Sequence, residues 1–113
     1  MLTIEALKEY GANVEEGLGR CLGNEAFYFR FITMAVGDAN FERLRDAAAA
    51  GDFEAAFESA HALKGVLGNL SLTPLYDAVS AATELLRART DMDYSEMVGE
   101  ILALRDSLKE LCK

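Results

Sequence analysis

Between residues 53 and 70 the apolar positions fall at Phe53, Ala56, Ala60, Leu63, Leu67 and Leu70. Steps of three and four alternate, which draws one stripe down a helix of the kind that forms a bundle seam. Met97, Ile101, Leu104, Leu108 and Leu111 draw a second stripe through a helix that opens near Tyr94. Phe27, Phe31, Met34 and Ala35 recur at helical spacing in "EAFYFRFITMAVG" and are expected to face the core. Helix signals bracket these patterns. Asn24 stands where a cap belongs, and Gly37-Asp38 marks a break. Asn40 is placed to cap "NFERLRDAAAA", which Gly51 stops. Asp52 opens the next helix, with Glu54 beside it at the positive end of the dipole. Thr73-Pro74 opens a helix that runs through "LYDAVSAATELLRAR", with Pro74 at the first helical position. Ahead of all these, Thr3 caps "IEALKEY" up to Gly11, and Asn13 caps "VEEGLGRCL" up to Gly23.

Several amphipathic helices with short connections predict an all-α fold. The expected form is an antiparallel up-and-down four-helix bundle with additional short N-terminal helices. Helices starting near 40, 53, 73 and 93 make its body, and residues 1–113 read as a single domain. The alanine- and leucine-rich composition, with few valines and isoleucines and one proline, agrees with helix over strand.

Charge narrows the function. Nineteen acidic against eleven basic residues give a net charge of −8. Phosphate backbones and anionic membrane surfaces repel such a domain, so neither nucleic acid nor membrane is an expected partner. The N-terminus is no signal peptide, no apolar run approaches a membrane span, and a cytoplasmic location is expected. Cys21 and Cys112 lie far apart, and with a single histidine they make no zinc pattern.

That histidine, His61, lies about 120° around the helix from the apolar stripe, at 100° per residue. It therefore faces solvent. Glu54, Glu58, Gly65 and Gly68 share its side, while Lys64 and Phe57 sit between that side and the core. Glycine costs a helix interior about 1 kcal/mol relative to alanine. Two glycines on the turns after His61 give up that stability and clear the imidazole's own face for a bulky partner. An unprotonated imidazole nitrogen is a nucleophile at neutral pH. A phosphoryl group on it would carry nearly two negative charges, which Lys64, one turn away, is placed to offset. The plainer alternative for Lys64 is a pair with an acidic neighbour on a solvated face. For Gly68 it is close helix packing.

The stretch "AHALKGVLGNLSLTPLYDAVSAATELLR", residues 60–87, resembles the histidine-containing phosphotransfer (HPt) domains of bacterial phosphorelays. His61, Lys64, Gly65 and Gly68 match that pattern, and "AGDFEAAFESA" before them is similar as well. The resemblance implies that His61 accepts a phosphoryl group from a receiver-domain aspartate and passes it to another receiver. Lys64 would steady the phosphate, and Gly65, Gly68 and Phe57 would form the docking face. It implies receiver domains of response regulators as partners, a hybrid histidine kinase among their sources, and a monomer. No cofactor is expected on this chain, since the receiver supplies Mg²⁺. Family members commonly carry a glycine ten positions after the histidine; here that position is Ser71.

Two other functions compete with this one. A sensor-kinase fragment fits poorly, because no glycine-rich nucleotide lid is present and Ala62 follows His61 where kinases carry an acidic residue. An acidic helical interaction module with an incidental histidine is the alternative that substitution of His61 would reveal. Asp91 and Asp93 read as a capping turn, being misplaced for a calcium loop. "FYFRF" reads as core with one exposed tyrosine.

Overall fold

The computed structural model describes all of residues 1–113. Seven helices follow one another: α1 (Ile4–Tyr10), α2 (Val14–Arg20), α3 (Glu25–Val36), α4 (Asn40–Ala49), α5 (Phe53–Asn69), α6 (Thr73–Arg87) and α7 (Ser95–Leu111). Four of the starts carry the side-chain caps that the sequence predicts. Thr3, Asn13, Asn24 and Asp52 accept from the amides of Ala6, Glu16, Phe27 and Ala55. Short connections turn each of α5, α6 and α7 back on its predecessor. α5 packs along both α4 and α6, and α7 closes the bundle against α6 and α4.

The core is built from the predicted stripes. Ala56, Ala60, Leu63 and Leu67 of α5 and Leu70 just after it are buried together with Leu75, Val79, Ala82 and Leu86 of α6 and Ile101 and Leu108 of α7, while Met97, Leu104 and Leu111 of the α7 stripe pack half-buried against them. Phe53 is half-buried, its ring edge-on to Tyr94 at 5.3 Å.

α3 turns its buried face by about a quarter-turn from the predicted one, so that of the four expected core residues only Ala35 is buried. Phe27, Phe31 and Met34 are 48%, 44% and 62% exposed, whereas Tyr28 and Ile32 are fully buried. The expected exposed tyrosine is thus an interior one. Phe and Met residues flank the exposed Arg30 and Thr33 on both sides, so the aromatic spacing pointed to a side that the polar pair does not support. Tyr28 decides it: its hydroxyl donates to the Leu70 carbonyl at 2.9 Å, a partner that a buried phenol requires. Burial, and secondarily the neighbouring Cys21, push that phenol up to about 12, so it stays a donor. Tyr28 also lies on Gly17, where an added Cβ would stand 2.5 Å from its oxygen.

Smaller corrections concern the helix starts. Asn40 is the first residue of α4, not its cap; the Asp38 carboxylate accepts its amide at 2.8 Å. Thr73 begins α6, which moves Pro74 to the second position. α2 stops at Arg20, before the predicted end at Gly23. α7 begins at Ser95, and Asp93 accepts the Ser95 amide at 2.9 Å, as a capping turn should. Cys21 and Cys112 are free thiols.

Ser71 closes α5 in the left-handed region, with φ of 55°. The Ser71 amide bonds Gly68 O at 3.1 Å and the Leu72 amide bonds Leu67 O at 3.2 Å. This pair of bonds is the Schellman ending, whose left-handed position usually holds glycine. The serine adds a hydroxyl that donates to Glu16 at 2.9 Å. Ser71→Gly and Ser71→Ala both lose that bond, but only alanine keeps the backbone strain. Ser71→Gly should therefore be about 1 kcal/mol more stable than Ser71→Ala. Equal denaturation midpoints would contradict this.

Candidate functional site

α5 is 17 residues long and His61 stands at its middle. With Ala60, Leu63 and Leu67 anchored in the core, the helix turns the imidazole outward, and it is exposed as predicted. The half-buried Phe57 supports it from one turn earlier, with ring centroids 5.6 Å apart and planes within 16°. On Phe57 in turn lies the Arg87 guanidinium, 5.1 Å from the ring centroid. An aromatic ring carrying a cation on its face is a favourable contact.

Lys64 takes the plainer of its two readings in this state. Its Nζ stands 3.5 Å from Glu84 Oε1, across the α5–α6 interface. The other oxygen of Glu84 is 3.4 Å from Arg87 Nε.

The two glycines differ. A Cβ at Gly65 would meet nothing within 4 Å, so the surface one turn beyond His61 is open. A Cβ at Gly68 would stand 3.0 Å from the Tyr76 ring. Gly68 therefore admits Tyr76 of α6, which is the close helix packing that is the alternative to docking, and its carbonyl accepts from Arg20. Together with these residues His61 and Lys64 line one open groove of about 680 Å³. Phe57 is outside that lining and touches the site through the imidazole.

A family model described as "Hpt domain" matches residues 34–113. The chain belongs to the Hpt domain family. Hpt domains serve histidine phosphotransfer in phosphorelays and interact with the receiver domains of response regulators. The match to the Hpt pattern spans α4 to α7 and contains His61, Phe57, Lys64, Gly65 and Gly68. Most of α3, and all of α1 and α2, precede it. No curated protein and no solved structure matches the chain. No helix is long and apolar enough to cross a membrane.

Sequence reasoning missed Glu84, Arg87, Tyr76 and Arg20. Glu84 and Arg87 are three apart on α6, a spacing that pairs them along the helix. Nothing in that spacing aims them at Lys64 and Phe57 on another helix.

Proposed function

We propose that this Hpt domain is a phosphocarrier in which His61 takes a phosphoryl group from a receiver aspartate and gives it to a second receiver. One observation carries the reading: the sole histidine is exposed at the middle of a well-anchored helix, with Lys64 and the open face of Gly65 beside it. The unprotonated ring nitrogen supplies its electron pair to phosphorus, and a P–N bond forms. The P–O bond to the aspartate breaks, its pair stays on the carboxylate, and the other ring nitrogen keeps its hydrogen. Attack by a second aspartate reverses these events. The mid-helix position holds the imidazole for in-line attack, since helix and Phe57 restrict its motion.

Gly65 and Phe57 form the docking face in this reading, with Gly68 contributing the backbone beneath Tyr76. The Mg²⁺ comes with the receiver, and this chain binds no cofactor. Acidic charge keeps the partner class to proteins, in a cytoplasmic setting. The test is incubation with a phosphorylated receiver, followed by assay for phosphate that is stable to base and labile to acid. Absence of such phosphate would favour the interaction module with an incidental histidine.

Lys64→Ala is expected to fold, since alanine is the best helix former. Phosphate acceptance should persist. Transfer should slow, or the phosphohistidine decay faster, by about two- to fivefold, the range of an exposed charge pair. Unchanged transfer and lifetime would reduce Lys64 to a surface cation.

A further inference from the structure

Lys64 is the cation nearest in sequence to His61, yet Glu84 already engages it. The contact is loose at 3.5 Å, and the two side chains are 26% and 56% exposed. Exposed pairs of this kind hold weakly and exchange readily. Glu84 is not stranded when Lys64 leaves, because its second oxygen is 3.4 Å from Arg87 Nε. Arg87 is in turn seated on the Phe57 ring that supports His61. A phosphoryl group brings nearly two negative charges and three acceptor oxygens. That outweighs one carboxylate oxygen whose charge Arg87 shares.

We propose that Glu84 is a positioning residue for phosphotransfer: it holds Lys64 while His61 is free and yields it to the phosphoryl group once His61 is loaded. The proposal rests on His61 being the phosphoacceptor. Its consequence concerns direction. Breaking the Lys64–Glu84 contact offsets part of what Lys64 gives the phosphorylated state. Glu84 thereby keeps the phosphohistidine less stable and a readier donor than Lys64 alone would make it. Arg87 keeps the carboxylate in place to recapture Lys64 after transfer.

Glu84→Gln preserves shape and hydrogen bonding and removes the charge. The full chain is loaded with phosphoramidate, a small-molecule donor to histidine, and separately with a receiver domain charged by acetyl phosphate. Phosphohistidine lifetime and the phosphate distribution against the receiver are then measured for wild type, Glu84→Gln, Lys64→Ala and the double variant. Circular dichroism checks each fold. Glu84→Gln is expected to lengthen the lifetime about two- to fivefold and shift phosphate toward this chain by a similar factor. In the Lys64→Ala background the same substitution should have little effect. No change on Glu84→Gln overturns the proposal. Equal lengthening in both backgrounds overturns it too, since that is repulsion by Glu84 acting without Lys64. A wild-type chain that takes phosphate from neither donor refutes the phosphocarrier reading itself, an outcome visible before any variant is compared.

Discussion

His61→Gln should take no phosphate from a charged receiver while keeping the fold. His61 is the only histidine, so no second imidazole can substitute. The side chain is exposed, and its one aromatic contact is the stack on Phe57 at 5.6 Å. Surface substitutions usually change stability by about 0.5 kcal/mol or less, and an aromatic pair adds about 0.5–1.5 kcal/mol. A loss of about 1 kcal/mol is therefore expected, or roughly 4 °C in melting temperature for a domain of this size. Glutamine retains an amide for hydrogen bonding but offers no nucleophilic nitrogen. Phosphate still arriving on a nitrogen in this variant would refute the assignment of His61. A collapse in melting temperature would instead mean that the imidazole is structural.

The second large effect lies away from the phosphoacceptor. Gly17→Leu should destabilise the chain by about 3 kcal/mol, the upper end of the overpacking range, lowering the melting temperature by roughly 12 °C. A Cβ at this position would lie 2.5 Å from Tyr28 Oη and 2.6 Å from two ring carbons. Tyr28 cannot step aside cheaply, because it is fully buried and its hydroxyl bonds Leu70 O. Displacing it would leave a buried phenol and a carbonyl without partners. Leucine's high helix propensity acts in the opposite direction but is worth less than about 1 kcal/mol relative to glycine. Thermal unfolding decides the matter; a melting temperature at or above wild type would mean that Tyr28 has another rotamer available.

The α5 stripe could be read because every third or fourth residue there is apolar and the residues between are mostly not. The outward position of His61 followed from that geometry. α3 was not legible in the same way. Phe27, Tyr28, Phe29, Phe31, Ile32 and Met34 ring most of it, and the only polar marks along its length after the first turn are Arg30 and Thr33, which do lie opposite the buried Tyr28 and Ile32 but were outweighed by the aromatic spacing. The choice of face depended on a hydroxyl bond to Leu70, 42 residues away. The caps at Thr3, Asn13, Asn24 and Asp52 are local hydrogen bonds, three residues in span, and so were visible. Glu84 and Arg87 reach the site across a helix interface, and Tyr76 does the same at Gly68. Such contacts depend on helix rotation and register, which no local spacing records. The family pattern located the histidine and its lysine, but not the carboxylate between Lys64 and Arg87.

The end of α5 is completed by chain that lies before the matched Hpt pattern. The Gly68 carbonyl accepts from Arg20, the Leu70 carbonyl from Tyr28, and the Ser71 carbonyl from the Asn13 amide. All three donors precede residue 34, where the match begins. Grafting another relative's leading segment onto residues 34–113 would remove all three donors: the Gly68 carbonyl would keep the Ser71 amide and the Ser71 carbonyl the Thr73 hydroxyl, but the Leu70 carbonyl would lose the Tyr28 hydroxyl. Modular exchange at that boundary is constrained by hydrogen bonding, above all by the buried pair of Tyr28 and Leu70, which must stay matched across it.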